Sequence, residues 1–182
     1  MEILLLAPAP PLLFMGEEFG AVTPFLFFCD LEGNLAAAVT NGRRDEFARF
    51  ERFNSETSRD SIPDPNDERT FLRSKLDWEC LNDGAHANTL HFYRELLAVR
   101  QRVIVPHLGR TSKTHCETVS GYGLSASWTF SDGLTLSLRA NLGWHSIRIV
   151  DPVRGTFYAS SKSAYAAAES GEFPPWSVVW SI

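Results

Sequence analysis

The chain has 182 residues and an acidic excess, with 17 Lys+Arg against 22 Asp+Glu and a formal net charge of −5. Hydrophobic residues make up 44% and charged residues 21%, a composition that excludes collagen-like, disordered and disulfide-rich chains. The acidic balance argues against nucleic acid as a main partner, because phosphate binding depends on clustered Lys and Arg. A complete barrel of eight strand–helix units needs about 200–250 residues, so the length excludes one.

The cysteines Cys29, Cys80 and Cys116 are far apart and show no CxxC spacing. We therefore expect reduced thiols in a cytoplasmic protein. The histidines show no HExxH or other ligand pairing, and no P-loop, Rossmann glycine pattern or GxSxG motif occurs. The sequence thus predicts no metal site and no cofactor.

The first residues are apolar but are interrupted by Pro8, Pro10 and Pro11. Such a segment is too short and too broken to cross a bilayer as a helix. It has no basic stretch, and Glu2 has the wrong sign for a signal peptide, so we expect no membrane partner. The segment is typical of sequence buried inside a protein, and a chain that opens this way resembles one cut from a longer protein.

The next elements mix short apolar runs with one helix. Residues 12–15 form a continuous apolar run that predicts a strand buried on both faces, as in a parallel sheet. Residues 25–28 form a second run that ends at Asp30. Residues 34–53 are helix-like, with Asn34 as the expected N-cap and Gly42 as an interruption.

Two further helices are predicted before the composition changes. One covers residues 67–76, and a longer one covers residues 84–102 with Asp83 as its cap. Charge then changes at Pro106: residues 1–105 hold 17 acidic and 11 basic groups (11 − 17 = −6), and residues 106–182 hold 5 and 6 (6 − 5 = +1). We therefore expect two domains, 1–105 and 106–182.

The second domain shows a period of two, which is typical of antiparallel strands. Residues 124–130 and 134–140 alternate apolar with small or polar side chains, and Asp132-Gly133 between them predicts a hairpin. Residues 176–182 alternate again. We expect a small antiparallel sandwich or open barrel, with Trp128, Trp176 and Trp180 in its core.

The candidate chemistry lies near the ends of the apolar runs. Glu17 and Glu18 follow the first run, and adjacent residues on a strand point to opposite faces, so the two cannot act as a catalytic pair. One of them could line a cleft while the other has a structural role. Phe27, Phe28 and Asp30 combine aromatic faces, which stack on sugars, with a carboxylate that holds hydroxyls; core packing is the alternative for the rings.

Six segments together resemble a known enzyme family. The first has the spaced Pro, Gly and Glu seen at the last barrel strand of the α-amylase superfamily, and the later ones are more specific. The series is similar to malto-oligosyltrehalose trehalohydrolase over nearly the whole chain, with Cys29 where a threonine is expected. The segments are PLLFMGEE (11–18), TPFLFFCD (23–30), NGRRDEF (41–47), PDP (63–65), RSKLDW (73–78) and PPWSVVW (174–180).

The resemblance implies the α+β, multi-part end of an enzyme: a C-terminal fragment of a (β/α)₈ barrel in residues 1–105, followed by a small antiparallel β-sandwich domain in residues 106–182. The family releases trehalose from maltooligosyl trehalose in trehalose biosynthesis, with retention at the anomeric carbon. Its catalytic carboxylates lie on barrel strands that would precede Met1. The resemblance therefore implies no catalytic residue in these 182 residues, and we expect the chain alone to be inactive.

The resemblance also implies partners and a binding site. Glu18 matches the acidic position of the last-strand motif, and Phe27, Phe28 and Asp30 lie on a loop expected to border the substrate cleft. The expected partners are maltooligosyl trehalose or another α-glucan and the missing barrel fragment. A non-catalytic carbohydrate-binding or interaction module stays open as an alternative.

Overall fold

A five-stranded antiparallel sheet, in the order β1-β2-β3-β7-β5, forms the largest element of the computed structural model. Its strands are β1 Thr111–Val119, β2 Gly123–Phe130, β3 Thr135–Asn141, β5 Thr156–Ala159 and β7 Ser177–Ser181, and the short strands β4 Ile147–Arg148 and β6 Glu172–Phe173 pair separately. The structure describes residues 1–51, 55, 61–109, 111–150 and 154–182.

Four of the helices that the structure describes precede strand β1 in the sequence, and the fifth lies between β5 and β6. They are α1 Glu2–Leu6, α2 Gly33–Ala48, α3 Glu68–Ser74, α4 Gly84–Val99 and α5 Lys162–Ser170. Short 3-10 turns cover Glu17–Phe19, Glu79–Asn82 and Val105–His107, and α4 continues as a π-helical turn over Arg100–Ile104. Helices combined with an antiparallel sheet confirm the α+β class.

Contacts divide the chain into two units. One comprises residues 1–13 with 91–182 and is called the β unit here; the other comprises residues 14–90 and is called the helix–loop unit. The division expected at residue 106 separates a barrel part from a C-terminal domain, and it stays a prediction. By their contacts, residues 91–105 belong to the β unit and not to the helix–loop unit.

The predicted hairpin is confirmed between β2 and β3. Phe130 N–H donates to Leu134 O at 2.8 Å, and the Asp132 carboxylate accepts from Leu134 N–H at 3.1 Å. Gly133 closes the turn with φ +89°, a backbone conformation that only glycine adopts without strain. An Asp-Gly pair between alternating runs thus fixes the register of the sheet centre.

The sheet is covered on both faces, because successive residues of β7 enter different cores. Val178 and Trp180 pack with the residues of α1 and α4, whereas Val179 between them packs with α5 and β6. This is the alternation of a strand whose two sides are both buried. Trp180 is fully buried and stacks on Trp128 at 5.7 Å, so the core prediction holds for these two rings.

The N-terminal helix α1 packs on the β unit through its last two residues, whereas Leu4 is exposed. Leu5 and Leu6 are fully buried in the sheet core. The Arg100 guanidinium donates to the backbone carbonyls of residues 5, 7, 8 and 9, which lie in the last turn of α1 and just beyond its end, where helical N–H donors are lacking. Burial lowers the pKa of Arg100 from its usual value.

The helix–loop unit contains the helices predicted around residues 34–53 and 67–76, with corrected ends. Helix α2 begins at Gly33 rather than after Asn34, and it continues through Gly42, whose Cβ position is open space. The predicted end at residue 53 lies outside the described residues. Asp67 caps α3 by accepting from Arg69 N–H at 2.8 Å, and Asp83 accepts from Ala85 N–H at the start of α4.

The predicted strand at residues 12–15 is wrong. Leu13 packs on the β-unit core, but Leu12 is almost fully exposed, and no described strand pairs with this segment. Gly16, with φ +82°, then turns the chain into the 3-10 turn that follows. A strand needs a hydrogen-bonding neighbour, so an apolar run without one stays extended but unpaired.

Candidate functional site

The loop of residues 25–31 is the part of the helix–loop unit that carries the candidate site residues. Its backbone is fastened at three places: Leu26 N–H donates to Ser74 Oγ at 3.0 Å, Cys29 N–H to Pro65 O at 2.8 Å, and Leu31 N–H to Asn66 Oδ1 at 3.1 Å. Ser74 is buried at the end of α3. The loop is therefore held by residues more than thirty positions away rather than by its own turns.

Asn66 joins the loop to helix α2. Its Oδ1 accepts from Leu31 N–H and lies 3.3 Å from Cys29 Sγ, while its Nδ2 donates to Ala36 O and Thr40 Oγ1, both at 3.2 Å. All the hydrogen-bonding groups of the amide are thus in use. Cys29, where the resemblance leads us to expect a threonine, contributes a thiol at a place where a threonine hydroxyl could also donate.

Asp64 supports this junction from the next turn. Its carboxylate accepts from Asn66 N–H at 3.0 Å and from Thr40 Oγ1 at 2.8 Å. These hydrogen bonds hold the pKa of Asp64 below its usual range, with a smaller contribution from the charge of Arg44. The Pro63-Asp64-Pro65-Asn66 turn therefore acts as the anchor of the candidate loop.

Phe27 lines a first hollow, of about 300 Å³, together with Arg43 and Phe47. The Arg43 guanidinium lies 5.3 Å from the ring centre of Phe27 and 4.6 Å from that of Phe47, and it pairs with Glu46 at 2.8 Å. Arg43 thus covers the aromatic rings rather than belonging to a purely solvated helix face. Phe27 itself is exposed.

Phe28 and Asp30 line a second hollow, of about 550 Å³. Asp67, Glu68 and Phe71 complete its wall on the side of α3. Phe28 is half-buried, with its ring edge-on to Phe71 at 5.2 Å, whereas the Asp30 side chain is exposed. Aromatic faces beside several carboxylates are suited to a neutral, hydroxyl-rich ligand, because the rings take its C–H faces and the carboxylates its O–H groups.

The electrostatics of this second hollow are set partly by Asp67. The Arg69 side chain and then its backbone N–H lower the pKa of Asp67 to about 2. Asp67 is therefore committed to its cap and its ion pair, which leaves Asp30 and Glu68 as the carboxylates of the hollow without such a fixed partner among the described residues.

The two glutamates after the first apolar run have different roles. Glu17 Oε2 accepts from Phe14 N–H at 3.0 Å and so stabilises the turn. Glu18 is half-buried in the same turn and lines neither hollow. The structure thus brings Phe28 together with Asp30, places Phe27 in a neighbouring hollow, and leaves Glu18 in the turn before the loop.

Two residues important to this geometry were missed from the sequence. Neither Asn66 nor Arg43 is among the site residues that the sequence predicts. The Pro-Asp-Pro-Asn run was the available signal, because such runs favour side-chain-to-backbone turns. Across the described residues, no group of three His, Cys, Asp or Glu side chains could hold a metal ion, and no helix is long and apolar enough to cross a membrane.

Comparison with known proteins shows which enzymes this chain is similar to. No family model matches the chain. A malto-oligosyltrehalose trehalohydrolase of Deinococcus radiodurans is 48% identical over 103 residues, which is 57% of this chain and 16% of that enzyme. The enzyme of the same name from Brevibacterium helvolum is 33% identical over 174 residues, or 95% of this chain and 28% of its own length.

This chain is a relative of the malto-oligosyltrehalose trehalohydrolases. The match is to their C-terminal portion, as the resemblance predicted. A crystal structure named "Putative alpha Amylase from Salmonella typhimurium" is similar as well, with a TM-score of 0.82 and 37% identity over 99% of this chain and 29% of that one. The chain therefore spans less than a third of the length of these two trehalohydrolases and of the Salmonella typhimurium protein.

Proposed function

We propose that this chain forms the C-terminal part of a trehalohydrolase-like glycoside hydrolase and contributes one edge of its α-glucan cleft. The observation that carries the proposal is the anchored loop 25–31, which presents Phe28 and Asp30 to one hollow of about 550 Å³. The family resemblance is specific in this same stretch of sequence. Phe27 and Glu18 are proposed as further contacts of the cleft.

The proposed role is binding rather than bond cleavage. A retaining glycosidase needs two carboxyl groups about 5–5.5 Å apart, on either side of the scissile bond. The resemblance assigns that pair to barrel strands outside these 182 residues. Phe28 would stack on a glucosyl ring and Asp30 would accept its hydroxyl protons, so that the substrate is positioned against carboxylates supplied by the rest of the barrel.

Exposed apolar side chains in the helix–loop unit support a barrel context. Val22, Phe25, Leu35 and Leu72 are each at least half exposed within the chain. Apolar side chains in such number are typical of a surface that packs against further protein. We propose that residues 1–105 complete a (β/α)₈ barrel, that residues 106–182 form its C-terminal β domain, and that the protein acts in the cytoplasm.

A chimera tests this proposal. The C-terminal portion of the Deinococcus radiodurans trehalohydrolase is replaced by this chain, and trehalose release from maltooligosyl trehalose is measured. We expect release by the chimera, because its catalytic carboxylates come from the relative. The variants Phe28→Ala and Asp30→Asn should raise KM about tenfold, the equivalent of roughly 1.4 kcal/mol of binding.

The matched control is Asp45→Asn, which removes an exposed carboxylate from helix α2 outside both hollows. It should leave KM unchanged. A chimera that folds with the thermal stability of the relative but releases no trehalose would contradict the proposed function. Equal KM values for all three variants would contradict the assignment of the loop to the cleft.

A further inference from the structure

Two tryptophans lie side by side on the surface of the β unit, far in sequence from the loop described above. Trp144 is 75% exposed and Trp176 54% exposed. Their ring centres are 4.9 Å apart and their planes meet at 83°, so the rings form the two walls of a corner. Trp176 was expected in the core from its place in an alternating run, and that prediction is wrong.

One buried side chain fixes both segments that carry these rings. Asn141, at the end of β3, is fully buried, and its Nδ2 lies within hydrogen-bonding distance of His145 O, Phe173 O and Pro174 O, at 2.8, 3.0 and 3.0 Å. Its Oδ1 accepts from Gly143 N–H at 3.0 Å. The residues on both sides of Trp144 and the segment that leads into Trp176 are therefore tied to the same buried amide.

The backbone at Trp176 is in a conformation that a bulky residue rarely adopts. Its φ is +53°, in the left-handed region, which directs the side chain outward just before β7 enters the core. Such strain persists where the surrounding structure enforces it, and it occurs preferentially at binding sites. On the other segment, a Cβ at Gly143 would lie 2.9 Å from Tyr122 Cβ, so only glycine lets the chain pass this exposed tyrosine.

We propose that Trp144 and Trp176 form a second, non-catalytic binding platform for a glucosyl unit of an α-glucan. One indole face would stack on the C–H face of the sugar, and the other ring would close the corner beside it. Neither indole N–H has a hydrogen-bond acceptor among the described residues, so both are free to donate to sugar hydroxyls. The choice of an α-glucan as ligand rests on the proposed function.

Pre-organisation favours a small ligand of this kind. The corner consists of two rigid rings that Asn141 holds in place, so binding costs little ordering of the protein. The ring walls match a pyranose in size. Each ring that stacks on the sugar should therefore contribute about a tenfold increase in affinity.

The experiment titrates the complete 182-residue chain with maltoheptaose and follows the indole N–H signals of its five tryptophans by nuclear magnetic resonance. We expect the signals of Trp144 and Trp176 to shift together with sugar concentration, whereas those of Trp128 and Trp180 should stay in place. Cellohexaose serves as a second sugar, because it consists of the same glucosyl rings, which its β-linkages join into a more extended chain.

Three variants assign the site. Trp144→Ala and Trp176→Ala should each weaken maltoheptaose binding about tenfold. Tyr165→Ala, which removes an exposed aromatic side chain elsewhere in the β unit, should leave binding unchanged. If Trp176→Ala alters the fold, Trp144→Ala still tests the platform, because its ring is the more exposed of the two.

The platform proposal would be overturned if no indole signal shifted, or if wild type and Trp144→Ala bound maltoheptaose equally well. Preferential binding of cellohexaose would overturn the assignment of the ligand as an α-glucan. All three outcomes concern binding to this chain alone, whereas the proposed function is tested by trehalose release from a chimera. Failure of one proposal is therefore distinguishable from failure of the other.

Discussion

Replacing Asn66 by alanine should release the candidate loop from helix α2. The side chain makes contacts with Leu31 N–H, Cys29 Sγ, Ala36 O and Thr40 Oγ1. Each ordinary hydrogen bond contributes about 0.5–1.5 kcal/mol net, and the thiol contact contributes less. Because Asn66 is half-buried and water can replace some partners, we expect a local loss of about 2–3 kcal/mol.

Native-state hydrogen exchange measures this loss where it occurs. The Leu31 amide should exchange about 30- to 150-fold faster in Asn66→Ala, since about 1.4 kcal/mol corresponds to a factor of ten. The Leu26 amide is a comparator in the same loop, because it donates to Ser74 and not to Asn66. Asn82→Ala is the matched control, since among the described residues that exposed amide donates only to Glu79. Unchanged exchange at Leu31 would refute the anchoring role of Asn66.

Three further predictions concern stability and are checked by urea unfolding. Gly16→Ala should destabilise the fold by about 2 kcal/mol, because φ at Gly16 is +82° and the new Cβ would lie 2.7 Å from Ala21 Cβ. Gly42→Ala should stabilise α2 by about 0.5–1 kcal/mol, because its new Cβ would enter open space. A loss of stability in both variants would contradict the geometry. Arg100→Met should cost about 2–4 kcal/mol, since it leaves four backbone carbonyls without their donor; a loss below about 0.5 kcal/mol would count against this role. The His107 ring and the Leu134 N–H depress the pKa of Asp132, so its stabilisation is present above the ordinary Asp pKa near 4 and is lost as pH falls through the folded-state value. Asp132→Asn should make the free energy of unfolding less dependent on pH in the acid range. An unchanged dependence would show that the Asp132–His107 pair does not contribute to stability.

The parts of the fold that could be predicted depend on local signals. The Asp132-Gly133 turn and the caps Asp67 and Asp83 each act within a few residues, so the sequence alone contains the interaction. Strand β1 was missed because it is an edge strand whose described side chains are mostly exposed, so no apolar alternation marks it. The strand at residues 12–15 was wrong for the opposite reason: its apolar run is clear, but its pairing depends on a neighbour.

The candidate site shows the same limit. Residue type alone makes Phe28 and Asp30 candidates, because aromatic rings and carboxylates are the usual contacts of sugars, and their role stays a prediction. Asn66 could not be found this way, since its partners are 26 to 37 positions away in sequence and only the folded chain brings them together. Trp176 was misjudged because a single left-handed residue reverses the facing of an otherwise regular alternation.

Trehalose release tests the central claim most directly. The 182-residue chain and the Deinococcus radiodurans chimera that contains it are incubated side by side with maltooligosyl trehalose, at equal concentrations and with folding checked by circular dichroism. We expect release by the chimera and none above the blank by the chain alone, because the proposed role of the chain is to form a cleft edge and not to supply the carboxylate pair. Release by the chain alone, or none by a folded chimera, would contradict the account.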